Sequence, residues 1–281
     1  MKHLLPPKLD IIFKQLFTKD PALLLDLVNA VLSGREGQHI QALEIKNPEI
    51  LPENLHEKFI ILDIQAIDDA GRQYDIEMQV RQYPFYPERT LYYVSRLYTG
   101  QLAAGESYAT LKPVIGIHFL DYEQFPDQPE LHFCFELRDV RYPELRLTKA
   151  LTIHLFELPK LDRLLPSWQE EANLGEWLYF FNHAPEEEDK AMRTHYKNPA
   201  IHQAFTVLEG LSADKETRHL AEIREKALRD EVSALFAAKH EGKQETAQKL
   251  LAMQVLTLEQ IAEATALPVA EIRELEKAAL P

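Results

Sequence analysis

The sequence has one cysteine, a shortage of positive charge and no long apolar run, and each shortage removes a class of protein. Cys134, between Phe133 and Phe135, has no second cysteine to pair with, so an intrachain disulfide and a thiolate zinc site are excluded. In such an apolar run it reads as a small buried hydrophobe. No segment reaches the roughly 18 apolar residues that span a membrane, and Pro6-Pro7 interrupts the N-terminus before a signal-peptide core forms. A soluble, cytoplasmic protein is expected. Lys plus Arg number 31 against 45 Asp plus Glu, a net charge of −14. A broadly basic surface for nucleic acid is therefore absent, and a phosphate-bearing partner would have to be held by a local basic stripe or by metal ions that reverse the sign of an acidic pocket. G-x-x-x-x-G-K, G-x-G-x-x-G and G-x-S-x-G are missing, and the eleven histidines show no H-E-x-x-H spacing.

What is present describes a folded chain. At 281 residues, with 46% hydrophobic and 27% charged side chains, one large domain or one domain with an appendage is expected. Ile12, Phe13, Leu16 and Phe17, then Leu23, Leu24, Leu27, Val28 and Val31, recur at helical spacing, split by Pro21 and ended by Gly34. Phe59 to Ile67 is a nearly continuous apolar strand. Asp68-Asp69-Ala70-Gly71 reads as a turn, and Tyr74 to Val80 returns with strict alternation. Glu88 to Ala104 is read as a helix with Leu91, Val94, Tyr98 and Leu102 as its apolar stripe. Three strands follow, at Val114–Leu120, Leu131–Leu137 and Leu151–Leu158, and helical sequence begins at Trp168. The order implies an α/β core, a mixed sheet flanked by helices. Glu186 to Asp189 reads as a solvated loop or helix start, and His118, His132 and His154 as structural histidines. Residues 1–213 form the expected core. From Asp214 the composition shifts to Ala, Glu, Lys and Leu, with 10 basic and 13 acidic side chains, a helical appendage over 214–281.

The hairpin carries the chemistry. Asp63 interrupts the most apolar strand, where an ionised carboxylate costs several kcal/mol unless paired or metal-bound. Glu77 lies on the returning strand, with Gln79 about 6.6 Å further along the same face at about 3.3 Å per residue. Two carboxylates and an amide can converge there, the oxygen-rich set that Mg²⁺ takes together with water and phosphate. A strand of alternating polarity commonly faces solvent, and Asp75 is read that way.

At these residues the chain resembles a known family. Leu62-Asp63, the Gly71 turn and Ile76-Glu77-Met78-Gln79 are similar to the core of the PD-(D/E)xK nucleases, in the form found in the recombination-promoting nuclease, or transposase, family. Asp10 to Lys14 with Leu16-Phe17 resembles that family's opening helix. Arg89, Tyr92, Tyr93, Arg96, Leu97 and Tyr98, with Gly105 and Tyr108, resembles its post-hairpin helix, and Phe156 to Lys160 a later strand end. The likeness covers about residues 8 to 162. It implies a restriction-endonuclease-like fold and a DNA endonuclease dependent on Mg²⁺, with Mn²⁺ as a substitute. Asp63 and Glu77 would be the metal ligands, and Gln79 would stand in place of the motif's Lys. Leu62 replaces the motif's Pro. A Gln cannot act as general base or supply positive charge; it can orient a water by hydrogen bonding. The alternative is a catalytically weak or inactive nuclease-fold protein that binds DNA or another protein.

Asp10 either adds a carboxylate from the first helix, as the resemblance implies, or caps that helix. Lys14, one turn on, either pairs with Asp10 or meets phosphate. Arg89, Tyr93 and Arg96 fall at i, i+4 and i+7, either gripping the DNA backbone or forming a solvated face paired with Glu88 or Glu106. In the tail, Leu258–Ala264 and Val269–Ala278 have helix-turn-helix spacing over 257–278. The second of these helices nevertheless sets Glu271, Glu274 and Glu276 against only Arg273 and Lys277, which disfavours the major groove. Self-association, as a homodimer, or packing on the core is expected of the tail.

Overall fold

A computed structural model of the chain describes residues 3–33, 39–46, 64–164, 172–187 and 189–279. The chain divides into two compact units, 1–223 and 224–281.

In the first unit, α1 (Asp10–Lys19) and α2 (Pro21–Leu32) are separated at Asp20, whose carboxylate accepts the Ala22 N–H while Pro21 supplies the first turn of α2. Their Ile12, Phe13, Leu16, Phe17, Leu24 and Leu27 are fully buried, as their spacing predicts. The sheet contains β1 (Leu43–Ile45), β2 (Ile64–Asp68), β3 (Gln73–Gln79), β4 (Val114–Leu120), β5 (His132–Glu136) and β6 (Leu151–Glu157), in the order β1-β2-β3-β4-β6-β5. β2 and β3 pair antiparallel, with Ile64 opposite Ile76 and Gln65 opposite Asp75. Their turn depends on Asp68, which accepts from the backbone of Ala70 and Arg72, from Arg72 Nε at 2.6 Å and from the Tyr74 hydroxyl at 2.8 Å. Gly71 there takes φ +80°, a conformation that side chains rarely adopt. β3, β4 and β6 run parallel, and β5 returns antiparallel to β6.

Parallel neighbours need a crossover, and α3 (Tyr86–Thr99) supplies it between β3 and β4. This helix ends at Thr99, five residues short of the expected Ala104, with Gly100 as its C-cap. Leu91, expected in its apolar stripe, is 52% exposed; Tyr86, Thr90 and Val94 are the buried positions. At Gly116 of β4 a Cβ would lie 3.1 Å from Val94 Cγ1 and 2.7 Å from His118 Nε2, so the approach of α3 to the sheet requires glycine. On the opposite face Phe119 stacks on Phe156 at 5.2 Å and meets Phe13 of α1 at 6.1 Å. After α4 (Leu161–Leu164) come α5 (Ala172–His183) and α6 (Pro199–Ala213), whose Phe181, Trp177 and Phe205 complete that layer. Trp168 lies outside the described residues. Within the acidic run, Glu187 is buried and accepts the Tyr196 hydroxyl at 2.8 Å, so this part is not the expected solvated loop.

α7 (Lys215–Met253) follows, and the unit boundary falls within it. In the second unit α8 (Leu258–Thr265) begins with a capping box of Thr257 and Gln260, and Ala266 takes a left-handed turn before α9 (Val269–Ala279). Ala247, Ile261, Leu267 and Ile272 form its core, and Leu250, Leu251, Leu258 and Leu275 pack around it. Among the described residues no helix is long and apolar enough to cross a membrane.

Beyond the end of β6, Glu157 and Lys160 form a buried ion pair at 2.7 Å. Glu157 accepts the N–H groups of Gln124 and Phe125, and Lys160 Nζ donates to the carbonyls of Phe125 and Glu130. Replacing Lys160 with Met would leave the buried Glu157 carboxylate without its counter-ion. Lys160→Met is expected to cost about 3–5 kcal/mol, read as a lowered urea midpoint; an unchanged midpoint would show that the pair adds nothing.

Candidate active site

Every second residue of β3 faces α3, which places Gln73, Asp75, Glu77 and Gln79 on one side and Tyr74, Ile76 and Met78 on the other. The helix closes the polar side from water. Asp75 and Glu77 are each 1% exposed. Asp75 is therefore not solvent-facing, contrary to its expected place. Alternation identifies the face of a strand but not what covers it, and here the cover comes from the crossover helix.

Four groups converge on one oxygen. Glu77 Oε2 accepts from Gln79 Nε2 at 3.3 Å and from the Tyr86 hydroxyl at 3.2 Å. It also lies 3.3 Å from Nδ1 of His118, its register partner on β4, and 3.8 Å from Arg89 Nη2. The Tyr86 hydroxyl is 2.9 Å from the same His118 nitrogen. Burial, and then the charge of Glu77, holds the Tyr86 hydroxyl well above the ordinary phenol range, so it remains a proton donor. Phe85, in the left-handed region at φ 60°, precedes the first turn of α3 and marks where the chain turns Tyr86 inward. The Arg89 guanidinium sits 4.9 Å from the Tyr86 ring centroid and 5.4 Å from that of Tyr83. Its Nε and Nη2 make no hydrogen bond among the described residues.

Asp75 is in a different state. Neither of its carboxylate oxygens has a hydrogen-bond partner among the described residues. Burial, reinforced by the charge of Glu77 and opposed by His118 and Arg89, pushes its carboxyl up to about 7. It lines a cavity of about 480 Å³ with Gln65, Gln73, Tyr93, Arg96, Leu97 and Gly100.

α3 thus divides its polar residues between the two ends of β3. Arg89 reaches Glu77, while Tyr93 and Arg96 stand over Asp75; they flank the packed face of the helix and do not lie opposite it. Asp10 is the first residue of α1, the cap position being Leu9, and both Asp10 and Lys14 are buried. The start of α1 reaches the Gln79 end of β3, because Lys8 Nζ lies 2.7 Å from Asp121, whose N–H donates to the Gln79 carbonyl at 2.8 Å. Asp63 lies outside the described residues. Among the described residues no group of three or more His, Cys, Asp or Glu could hold a metal ion.

The sequence gives little sign of Tyr86 or His118 at this site, and its alternation places Asp75 toward solvent. Their signals were weak: Asp75 shares the face of Glu77 by parity alone, and His118 reaches Glu77 only through the parallel register of β3 and β4.

A parallel three-strand centre crossed by a helix over a carboxylate-bearing hairpin fits the α/β, restriction-endonuclease-like fold. A profile of the PD-(D/E)XK nuclease family transposases matches residues 7–238, and the chain belongs to that family. No curated protein and no solved structure matches the chain.

A carboxyl raised in the folded state costs stability as pH climbs from its unfolded value of 3.8 to about 7, and the full cost is present above that. Asp75→Asn, measured at pH 8 in EDTA, is therefore expected to raise the melting temperature, at about 2–4 °C for each kcal/mol relieved. A lowered melting temperature would mean that the carboxylate is satisfied in solution.

Proposed function

We propose that the protein is a DNA endonuclease that depends on a divalent cation, Mg²⁺ in the first instance with Mn²⁺ as a substitute. The observation that carries this reading is the buried Glu77 carboxylate paired with Arg89, whose Nε and Nη2 make no hydrogen bond among the described residues. That pairing offers a phosphodiester both an acidic metal-ligand position and a guanidinium donor. Glu77 and Asp75, the latter with no hydrogen-bond partner among the described residues, share a strand face with the Gln79 amide, oxygen donors of the kind a hard cation takes, and Asp63 would be the further ligand. A cation bound there neutralises charge at phosphorus and lowers the pKa of an attacking water.

The protein groups have separate tasks. Asp63 and Glu77 hold the cation, with Asp10 as a further carboxylate from α1. Tyr86 and His118 hold the Glu77 carboxylate in place through Oε2. Gln79 orients the water by hydrogen bonding, the role open to an uncharged amide. Arg89 and Arg96, with Tyr93 between them, grip the DNA backbone and offset locally the overall charge of −14; Lys14 contributes only if its buried ammonium reaches phosphate.

The test is incubation of plasmid and linear DNA with Mg²⁺, Mn²⁺ or EDTA. Cleavage is expected with either metal and not with EDTA. Asp63→Ala and Glu77→Ala should each lower the rate by about 10²-fold or more, with an unchanged circular dichroism spectrum. Parent-rate cleavage by either purified variant would remove that residue from the site. Gln79→Lys should cleave at least as fast as the parent, because a cation stabilises the developing charge. Tight DNA binding without cleavage by the parent would favour a binding module instead.

A further inference from the structure

The middle of α7 is apolar and bare. Val232 and Leu235 are each 52% exposed and Phe236 is 72% exposed, and every residue from 232 to 239 is exposed. Earlier in the helix, Thr217, Ala221 and Arg224 are buried along one face. That face continues at three- and four-residue steps through Leu228, Glu231, Leu235, Ala238 and Gly242. Exposed Val, Leu and Phe grouped on one helix are the kind of apolar patch that marks an interaction surface.

Its charges indicate the occupant. At 3.6 residues per turn, positions three, four and seven from Leu235 lie within about 60° of it on the helix surface. On one side these are Val232, Glu231 and Leu228; on the other they are Ala238, Lys239 and Gly242. The face is therefore complementary to itself when reversed. A second copy laid antiparallel, with its Leu235 on this Leu235, sets Val232 against Ala238, Leu228 against Gly242, and Glu231 against Lys239, each pair occurring twice. The flanking Phe236 then covers Ala234 of the second copy. A parallel pair would instead set Glu231 on Glu231 and Lys239 on Lys239. Gly242 has nothing within 4 Å of where a Cβ would stand, so its helix surface is open to a large side chain such as Leu228.

We infer that residues 228–242 of α7 form an isologous, antiparallel helix pair with a second copy of this chain, centred on Leu235. A two-fold contact of this kind is closed and gives dimers, not filaments. The paired length is about 22 Å, at about 1.5 Å per residue. That is a small interface, so association is expected in the micromolar range.

The test is sedimentation velocity of the full chain over about 1–200 μM, a range set by that affinity. The wild type should pass from monomer to dimer. Leu235→Glu, Glu231→Lys and Lys239→Glu should each weaken association about tenfold or more, a difference that like-charge contacts in an interface readily produce. The double variant Glu231→Lys/Lys239→Glu restores opposite charges only in the antiparallel arrangement and should recover wild-type association. All three positions lie on α7, and circular dichroism confirms that each variant is folded. A wild type that stays monomeric at the highest concentration, a dimer indifferent to the single changes, or a double variant no better than the worse single one would overturn the inference. The measurement contains no DNA or metal, so its outcome is separate from that of the nuclease reading.

Discussion

The first unit is organised around one costly requirement: β3 lies inside the sheet yet carries four polar side chains on one face. A buried carboxylate without partners costs several kcal/mol, and the surroundings of Glu77 answer that cost. Gln79, Tyr86, His118 and Arg89 come from β3, α3 and β4 and meet at one oxygen. The position of α3 follows from it, because Tyr86 and Arg89 must both reach down to the strand. Gly116 follows in turn, since no side chain fits between Val94 and the sheet there. Asp75, two residues from Glu77, is offset only by the charges of His118 and Arg89 and has no hydrogen-bond partner among the described residues. Its unsatisfied oxygens are a local debt in stability of the kind found where a protein keeps a place for something else.

The acidity of the chain and its membership of a nuclease family are reconciled on a single helix. A net charge of −14 repels DNA at long range, but α3 sets Arg89 beside Glu77 and Arg96 over Asp75, local positive charge on the polar face of β3. Arg89 is further held by the faces of Tyr83 and Tyr86, which fix a guanidinium without using up its N–H groups. The second unit is made differently. It has a small apolar core, a capping box and a long helix whose middle is left bare, so its stability is local and its surface is available.

Much of the fold was legible because it rests on local rules. The period of Ile12 to Phe17, the break at Pro21, the Gly71 turn and the β-rich runs each depend on residues within a few positions of one another. The strand parity that groups Glu77 with Gln79 is equally local. The pattern along the chain misleads where a distant element decides. Leu91 looked like a core residue of α3 and is half-exposed, since the rotation of the helix is set by Tyr86 and Val94 meeting β4.

By itself the sequence determined the class of fold, the hairpin that bears Glu77 and Gln79, and the helical character of the tail, because hydrophobic period and turn chemistry act along the chain. Only the tertiary structure decided that Asp75 is buried, that His118 and Tyr86 bind Glu77, and that Arg89 and Arg96 serve opposite ends of β3. Those facts depend on the β3–α3–β4 crossover, which joins residues up to 41 positions apart. The charge and solvation of a side chain are set by whatever that crossover brings over it, and no pattern along the strand records this.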